Sequence, residues 1–505
     1  MSSPPDESQA KNPLLTEHAL APVPKRILCT LAAVAGAATP LYFSGGVVRD
    51  WLLGRIPVDL DITVADGALD LAAALAARLG GAFVPLSREE GVARVVWGEW
   101  CIDVCQFREG TTTIVDDLCR RDFTVNAMAV GFDPLSLTLV NGGQLLDPLG
   151  GRFDLSRGLI RLCHAGALAA DPLRLLRAYR FRAVFDWAIE PGTLAVISSQ
   201  VLLIRGVSGE RIATELDKIL ACREAHATIG EMAAVGLLFH LFPELGVGVG
   251  LLQPSSHHLD VFGHSLETLR QMERILLSPA LFFSPDEQET ERSWTQDLAL
   301  YLAAPRQVIR LKYAALFHDL GKTVTCGDKE GRITFYNHDE AGVALMANIA
   351  QRLRLSSDDS RRISQLVRQH MWPFHLHNAR ERTGITPKAI LRLVKAAGDE
   401  LLGLFLLVMA DSLAGQGPGK PEGMEKAVAA LFNEVYETYL GRLKPIMEHP
   451  LLTGHDLIET LKLTPGPLFR QIFDGLQEAR ASEPEMTKEE ALAWAKEFAG
   501  RAGTG

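Results

Sequence analysis

Three aspartates in two apolar segments are the residues whose types and spacing best support chemistry. Asp59 and Asp61 alternate with Leu60 and Ile62 in DLDITV, and a strand of this period sends both carboxylates to one face. Paired carboxylates repel each other unless a cation lies between them, and their oxygens favour Mg²⁺. With Asp103, the third acid, they predict a two-metal site for phosphoryl or nucleotidyl transfer.

A pair of glycines lies upstream of these acids. Gly45 and Gly46 follow a short apolar run and precede the helical segment Val47 to Leu53, so their amides are placed to cradle a phosphate at a helix start. A glycine pair by itself is usually a turn, and spaced aspartates are common at strand ends. The order of strand, glycine pair, helix, acid pair and third acid is what favours a catalytic site.

A second set of residues combines imidazoles with carboxylates. It consists of His264, His318, Asp319, His338, His370 and Asp411. Such ligands suit a transition metal better than Mg²⁺ alone. A lone histidine–aspartate pair on a helix is usually structural, so the whole set is needed to indicate a metal site.

The elements that must position these residues are a small α/β head and a long helical body. Between residues 41 and 130, the β-type runs LYF, DLDITV, ARVVW and CIDVCQF flank a helical stretch from Ala68 to Leu79. Helical periodicity takes over from Ala165 onwards. The segment GQGPGKPEG, residues 415–423, predicts a break between helical blocks.

Length and composition are those of a globular protein with several domains. The 505 residues exceed one hydrophobic core, and 47% are hydrophobic against 22% charged. Residues 1–25 predict a disordered tail rather than a signal peptide, and no apolar run suits a membrane span. The seven cysteines lack a CxxC pair, which indicates reduced thiols, mostly in the core, and a cytoplasmic protein.

The net charge of −10 argues against general affinity for nucleic acid, so RNA contacts need a local basic strip. Such a strip lies between residues 152 and 182, where seven arginines outnumber two acids. The arginines are Arg152, Arg157, Arg161, Arg174, Arg177, Arg180 and Arg182.

Several motifs, taken in order, resemble the class II tRNA nucleotidyltransferases and bacterial poly(A) polymerases. They are FSGGVVRD (43–50), LG (53–54), DLD (59–61), RRDFTVNA (120–127), DP (147–148), GG (150–151), DL (154–155), GLIR (158–161), DPLRLLRAYRF (171–181) and the segment from Gly209 to Leu220. The resemblance implies an α+β protein with a polymerase-beta-like nucleotidyltransferase head of mixed sheet and helices. An all-α neck, an HD domain and a C-terminal helical tail would follow.

The resemblance also implies roles for individual residues. Asp59 and Asp61 would bind Mg²⁺ and activate the RNA 3′-hydroxyl, with Gly45, Gly46 and Arg49 near the triphosphate. The residues that would bind the incoming nucleotide are Arg120, Arg121, Asp122, Asn126, Asp171, Arg174 and Arg177.

Asp171 and Arg174, three residues apart on one helix face, would read the base edge of CTP or ATP. Protein rather than RNA would then act as the template. Taken alone, this pair would be an ordinary surface ion pair.

Two departures from the family pattern bear on the product. Ala170 stands where the family usually has a glutamate before the base-reading aspartate. The segment from Glu109 to Asp116 is short, where relatives that complete CCA carry a longer flexible loop. A short segment resembles CC-adding enzymes, which leave the terminal A to a partner.

The second set lies in the strings HSLETL, ALFHDLGK, YNHDEAG, VRQHMWP and VMADSLA, which resemble HD-superfamily metal-dependent phosphohydrolases. By that resemblance His264, His318, Asp319 and Asp411 would bind one divalent ion such as Ni²⁺, Co²⁺ or Mn²⁺. His338 and His370 would line the site or hold a second ion. A phosphodiesterase or phosphatase activity on RNA ends would be the result.

The predicted domains are a tail (1–25), a head (26–150), a neck (151–250), an HD domain (251–415) and an RNA-binding tail (424–505). LLTGHDLI (451–458) and PGP (465–467) resemble the part that supports the tRNA acceptor arm, and fit an ordinary helix boundary equally well.

The leading hypothesis is addition of CMP, with or without the terminal AMP, to tRNA 3′ ends by a monomer or homodimer. A CC-only enzyme and a poly(A) polymerase stay open, as does a phosphohydrolase with a nucleotide-sensing head.

Overall fold

The structure, a computed structural model, describes residues 19–36, 39–57, 59–284 and 294–502. The chain divides into two compact units. One comprises Met1–Val207 with Val235–Leu237, and the other comprises Ser208–Ala234 with Leu238–Gly505. The predicted neck therefore contributes residues to both units.

The first unit is built on a mixed sheet of eight strands. They are β1 (Leu41–Ser44), β2 (Asp59–Val64), β3 (Ala82–Ser87), β4 (Val92–Trp97), β5 (Trp100–Gln106), β6 (Ala129–Asp133), β7 (Thr138–Leu139) and β8 (Leu145–Leu146). The order is β3-β4-β5-β2-β1-β6-β7, with β8 paired to β6. β2 and β5 run parallel, and the other neighbours are antiparallel.

The first unit also contains helices before, between and after the strands of this sheet. They are α1 (Lys25–Ala35), α2 (Gly46–Leu52), α3 (Ala68–Leu79), α4 (Ile114–Cys119), α5 (Gly151–Arg157), α6 (Ala167–Ala170), α7 (Arg174–Phe185) and α8 (Pro191–Gln200). β9 (Leu159–Ile160) and β10 (Ala188–Ile189) form a small parallel pair. This pair is a short addition to the neck, which is otherwise helical as predicted.

The predicted elements of the head are confirmed where the apolar pattern was clear. Helix α3 covers the predicted stretch because its apolar side chains recur at three and four residues, and Ala72, Leu75 and Leu79 are buried. The predicted tail is shorter than expected, since Leu20 and Val23 are buried in the head core. Residues 1–18 lie outside the described part of the chain.

The second unit is mainly helical. Its helices are α9 (Gly209–Leu220), α10 (Ala225–Ala234), α11 (Leu237–Leu241), α12 (Pro243–Val247), α13 (Val261–Leu277), α14 (Ala280–Phe283), α15 (Trp294–Leu302), α16 (Pro305–Phe317), α17 (Lys322–Thr325), α18 (His338–Leu353), α19 (Ser357–Gln369), α20 (Trp372–Thr383), α21 (Pro387–Ala397) and α22 (Leu401–Ala414). A hairpin of β11 (Gly327–Lys329) and β12 (Arg332–Thr334) follows α17.

The chain ends in α23 (Met424–Thr438), α24 (Lys444–Glu448), α25 (Gly454–Glu459), α26 (Pro467–Ser482) and α27 (Lys488–Ala502). The last three helices share a small apolar core that includes Leu457, Ile472 and Leu476. Helix α22 is apolar on all sides and is buried almost throughout, as expected for a helix at the centre of a bundle.

Two general expectations are also answered. All seven cysteines are free thiols, as predicted, but none is fully buried, which corrects their placement in the core. No helix in the described ranges is both long and apolar enough to cross a membrane.

Candidate functional site

The acid pair lies on one face of β2. Leu60 and Ile62, on the opposite face, are buried, whereas Asp59 is exposed and Asp61 is half-buried. Asp61 lies beside Asp103 of the parallel strand β5, and burial together with the charge of Asp103 raises the pKa of Asp61 to about 6. A cation would relieve this destabilised carboxylate, so the residues present fit the Mg²⁺ that the fold implies.

The third acid, Asp103, is engaged with a neighbouring strand. Its two carboxylate oxygens accept from Nε and Nη2 of Arg94 on β4 at 2.7 and 2.8 Å. A bidentate pair of this kind fixes the carboxylate firmly. The role of Asp103 as a metal ligand stays a prediction, and Arg94 competes for the same oxygens.

The glycine pair wraps closely around Asp61. Helix α2 begins at Gly46, and Gly45 before it has a φ of 71°. A Cβ atom would lie 3.2 Å from Asp61 Oδ2 if placed on Gly45 and 3.0 Å if placed on Gly46. The backbone N–H of Val47 donates to the same oxygen at 3.3 Å. Glycine is therefore needed here because a side chain would displace the carboxylate.

Arg121 is a structural support beneath the glycine pair. Its guanidinium donates to Asp117 Oδ2, Ser44 Oγ and Thr63 Oγ1 at 2.8–3.2 Å. Its side chain is only 10% exposed and Asp117 is fully buried. These partners tie β1, β2 and α4 together, so the structure gives Arg121 a positioning role in addition to the predicted contact with nucleotide.

A chain of polar contacts joins the glycine pair to helix α7. Arg49 Nη1 donates to Asn126 Oδ1 at 2.7 Å, and Asn126 Nδ2 donates to Asp122 Oδ1 at 3.4 Å. Asp122 then pairs with Arg177 of α7 at 2.6 Å. Burial would raise the pKa of Asp122, but Arg177 holds it below its usual value. Four of the predicted nucleotide-binding residues are thus connected in one network.

The predicted shared helix face of Asp171 and Arg174 is wrong. Asp171 follows α6 with an extended backbone, whereas Arg174 is the first residue of α7. The reason is Pro172, because a proline disfavours the helical conformation in the residue before it. Arg174 donates to the carbonyl of Ala167 at 3.0 Å, and its Nε is buried without a hydrogen-bond partner. Both residues remain candidates for reading a base.

The segment that connects β5 to α4 is short and tied down. It spans residues 107–113. Arg120 Nη1 donates to the carbonyl of Glu109 at 2.7 Å, and the backbone and side chain of Arg108 both donate to Asp117. Thr113 caps α4 by accepting from the N–H of Asp116. The segment is therefore held at both ends.

The six residues of the second set meet in the core of the second unit. They come from α13, the turn after α16, the start of α18, the position directly after α19, and α22. His264 Nε2 lies 2.9 Å from Asp411 Oδ1 and 3.4 Å from Asp319 Oδ2. His318 Nε2 lies 3.2 Å from the same Asp319 oxygen. The other carboxylate oxygen of Asp319 lies 3.4 Å from His338 Nε2 and 3.6 Å from His370 Nε2.

Three of the histidines are oriented by backbone carbonyls. Nδ1 of His318, His338 and His370 lies 2.7–3.0 Å from the carbonyl three residues earlier. A carbonyl oxygen only accepts, so each Nδ1 carries a proton and each Nε2 of a neutral ring presents a lone pair. Nε2 of His338 and Nε2 of His370 face each other at 3.1 Å. Two lone pairs at this distance repel unless a proton or a metal ion lies between them, and oriented imidazoles are typical of metal ligands.

The carboxylates of this cluster stay ionised. Burial would raise the pKa of Asp319 and Asp411, but the neighbouring imidazoles, with Lys322 beside Asp319, hold both well below the usual value. The two oxygens of Asp319 face different histidines. Oδ2 faces His264 and His318, and Oδ1 faces His338 and His370. The residues fit one divalent ion, and the His338–His370 half fits a second.

Sequence reasoning missed His257. Its ligand atom lies within 4.8 Å of those of His264 and Asp411. It also missed Arg94, although the two-residue turn at Gly98 and Glu99 fixes the register that pairs Arg94 with Asp103. No local pattern marks His257 as a ligand.

Three family profiles match the chain. One described as "Poly A polymerase head domain" matches residues 41–161, one described as "Probable RNA and SrmB- binding site of polymerase A" matches residues 186–247, and one described as "HD domain" matches residues 261–397.

Curated relatives carry related names. An A-adding tRNA nucleotidyltransferase of Deinococcus radiodurans is 35% identical over 475 residues, covering 90% of this chain and 96% of the relative. A CC-adding tRNA nucleotidyltransferase of Geobacter sulfurreducens is 44% identical over 225 residues, covering 44% of this chain and 49% of the relative. A CC-adding tRNA nucleotidyltransferase of Thermus thermophilus is 31% identical over 457 residues, covering 89% and 92%.

Solved structures share the fold. A CCA-adding enzyme in complex with CTP has a TM-score of 0.61 at 22% identity, covering 94% of this chain and 96% of the other. A Thermotoga maritima CCA-adding enzyme in complex with tRNA has a TM-score of 0.57 at 23% identity, covering 93% of each chain.

Proposed function

This chain belongs to the family of tRNA nucleotidyltransferases and bacterial poly(A) polymerases, and within that family we propose that it adds CMP to tRNA 3′ ends and stops before the terminal A. The observation that carries the proposal is the short, tied segment 107–113. Arg120 and Asp117 hold it from two sides, which leaves no long flexible loop of the kind that accompanies the last addition in CCA-adding relatives.

The head supplies the groups that the transfer needs. Mg²⁺ bound by Asp59 and Asp61 would neutralise the charge that develops as the 3′-oxygen joins the α-phosphorus and pyrophosphate leaves. The network from Arg49 to Arg177 would hold the sugar and phosphates between α2 and α7. Arg174 is half-buried, and its guanidinium would offer donors to the acceptor edge of a cytosine.

The test is extension of three tRNA transcripts that end before CCA, after C and after CC, each with CTP alone, ATP alone and both. We expect growth by two and by one residue with CTP, and no growth of the third transcript with ATP. A product ending in CCA would overturn the CC-only proposal, A addition to the third transcript alone would indicate an A-adding enzyme, and long A tails on any RNA would indicate a poly(A) polymerase.

A matched pair of variants locates the activity. We expect Asp59→Ala with Asp61→Ala to abolish incorporation, because both carboxylates on the β2 face are lost. His264→Ala, in the second unit, is expected to leave incorporation unchanged. Incorporation by the head double variant would contradict the assignment of the site.

A second candidate activity is hydrolysis of phosphoesters at RNA ends by the second unit. The grouping of His338 and His370 with Asp319 favours it, because two imidazoles and a carboxylate that lie this close can hold a metal ion. Ions held by this cluster would act as Lewis acids for attack of water on a phosphoester.

The assay is release of phosphate or opening of 2′,3′-cyclic AMP with Ni²⁺, Co²⁺ or Mn²⁺, by the wild type and by Asp319→Ala. We expect turnover that Asp319→Ala abolishes, since this carboxylate faces both halves of the cluster. No turnover with any of these ions would leave the cluster a structural role.

A further inference from the structure

We propose that His257 is a metal ligand of the second unit, beside His264 and Asp411, and that a glycine clamp, residues 415–419, holds it in place. The inference rests on the metal site of the second candidate activity but not on its hydrolysis. The HD motif in this chain does not include His257.

The geometry around His257 is that of a ligand position. Its ring lies 4.7 Å from that of His264 at 80°, and the ligand atoms of His257, His264 and Asp411 all lie within 4.8 Å of one another. Nδ1 of His257 lies 3.0 Å from Ser256 Oγ, which fixes the orientation of the ring. Three donors from separate segments therefore converge on one point.

The glycine clamp explains why His257 stays there. Helix α22 ends three residues after Asp411, and the chain then turns back on the segment before His257. Gly417 N donates to the carbonyl of Ser256, and Gly419 N to that of Ser255, both at 2.9 Å. The segment that the sequence predicted as a break between helical blocks thus joins the Asp411 helix to the His257 loop.

The glycines of the clamp are required by close approach. A Cβ atom on Gly417 would lie 2.3 Å from the carbonyl oxygen of Ser255 and 2.6 Å from the N atom of His257. A Cβ atom on Gly419 would lie 2.2 Å from Ser255 Oγ. A side chain at Gly417 would therefore displace the backbone of the His257 loop, whereas one at Gly419 would first displace the Ser255 side chain.

A further imidazole changes the donor set of the site. With His257, the end of the cluster at Asp411 offers nitrogen donors from His257, His264 and His318 alongside two carboxylates. A nitrogen-rich set raises affinity for Co²⁺ and Ni²⁺ relative to Mg²⁺ and Mn²⁺. The proposed ligand class is therefore a borderline transition metal.

The experiment is titration of Co²⁺, followed by its visible absorption, into the full chain carrying Asp59→Ala and Asp61→Ala so that the head does not bind the ion. His257→Ala and His257→Gln are compared with His449→Ala, which removes an exposed histidine after α24. We expect both His257 variants to weaken Co²⁺ binding at least about tenfold and to change the absorption bands. His449→Ala should stay within about twofold of the parent protein.

A second variant tests the clamp without removing a ligand. Gly417→Ala is expected to weaken Co²⁺ binding in the same direction, and melting curves in EDTA should show that all variants fold. Equal Co²⁺ affinity for the two His257 variants and His449→Ala would overturn the inference, as would a parent protein that binds no Co²⁺. Co²⁺ binding without turnover would refute only the hydrolytic activity.

Discussion

Asp61→Asn is expected to stabilise the head while abolishing nucleotidyl transfer. The amide keeps the size of the carboxyl group and an oxygen that accepts from the N–H of Val47. It removes a charge that burial and Asp103 both oppose. The substitution should therefore raise the free energy of unfolding of the head while it removes the activity. This is the pattern expected of a residue kept for function.

The size of the effect follows from the pKa. Asp61 titrates at about 6 in the folded head against a reference of 3.8, which corresponds to about 3 kcal/mol. The side chain retains some exposure, so screening by solvent reduces the expected gain to about 1–2 kcal/mol. Because the folded pKa is raised, ionisation favours the unfolded chain. The gain of Asp61→Asn should be absent below pH 4, grow between pH 4 and 6, and stay constant above pH 6.

The assay is hydrogen exchange in peptides from β2 and β5, compared between variant and wild type at equal pH in EDTA. Asp59→Asn is the matched control: it removes an exposed carboxylate of the same strand and should lose activity without a comparable gain in protection. Added Mg²⁺ should protect the wild type and leave Asp61→Asn unchanged. Equal protection of wild type and Asp61→Asn from pH 5 to 8 would refute the reasoning.

Three further substitutions test the supports of the site. Arg121→Ala leaves the buried carboxylate of Asp117 with fewer partners and should cost about 3 kcal/mol in urea unfolding of the head; a loss below about 1 kcal/mol would contradict the supporting role. Gly46→Ala should lower kcat at least about tenfold with unchanged melting, because its Cβ would lie 3.0 Å from Asp61 Oδ2; wild-type kcat would show that the carboxylate tolerates displacement. Arg120→Ala should raise KM for CTP with little change in melting, since its side chain is exposed and its bond to the segment 107–113 is lost; an unchanged KM would remove Arg120 from the site.

The parts of the fold that the sequence predicted are those set by local pattern. The period of two in β2 and of three to four in α3 reflects which face each residue buries, so both elements and the placement of Asp59 and Asp61 could be anticipated. The bidentate pair of Asp103 with Arg94 could also have been found, because the hairpin register follows from its two-residue turn.

Other features depend on segments far apart in the chain. Packing of the assembled fold decides the contact between residues 255–258 and the glycine clamp. From the sequence alone, the glycines that allow this close approach were interpreted as a break between helical blocks. The supporting role of Arg121 could not be predicted, because its burial follows from the assembled sheet; its contact with nucleotide stays a prediction. The error at Asp171 is different in kind, since Pro172 was visible in the sequence and already argued against a helix at that position.

The metal cluster of the second unit draws its side chains from five separate helical segments, and this has a consequence independent of any reaction. An ion held there acts as a cross-link that the unfolded chain lacks, so each tenfold rise in free ion above its dissociation constant adds about 1.4 kcal/mol to stability. Metal starvation would then lower the abundance of the protein, and with it the total nucleotidyltransferase activity, although the ion does not bind the head. A lineage that lost hydrolysis would still be under selection to keep the ligands.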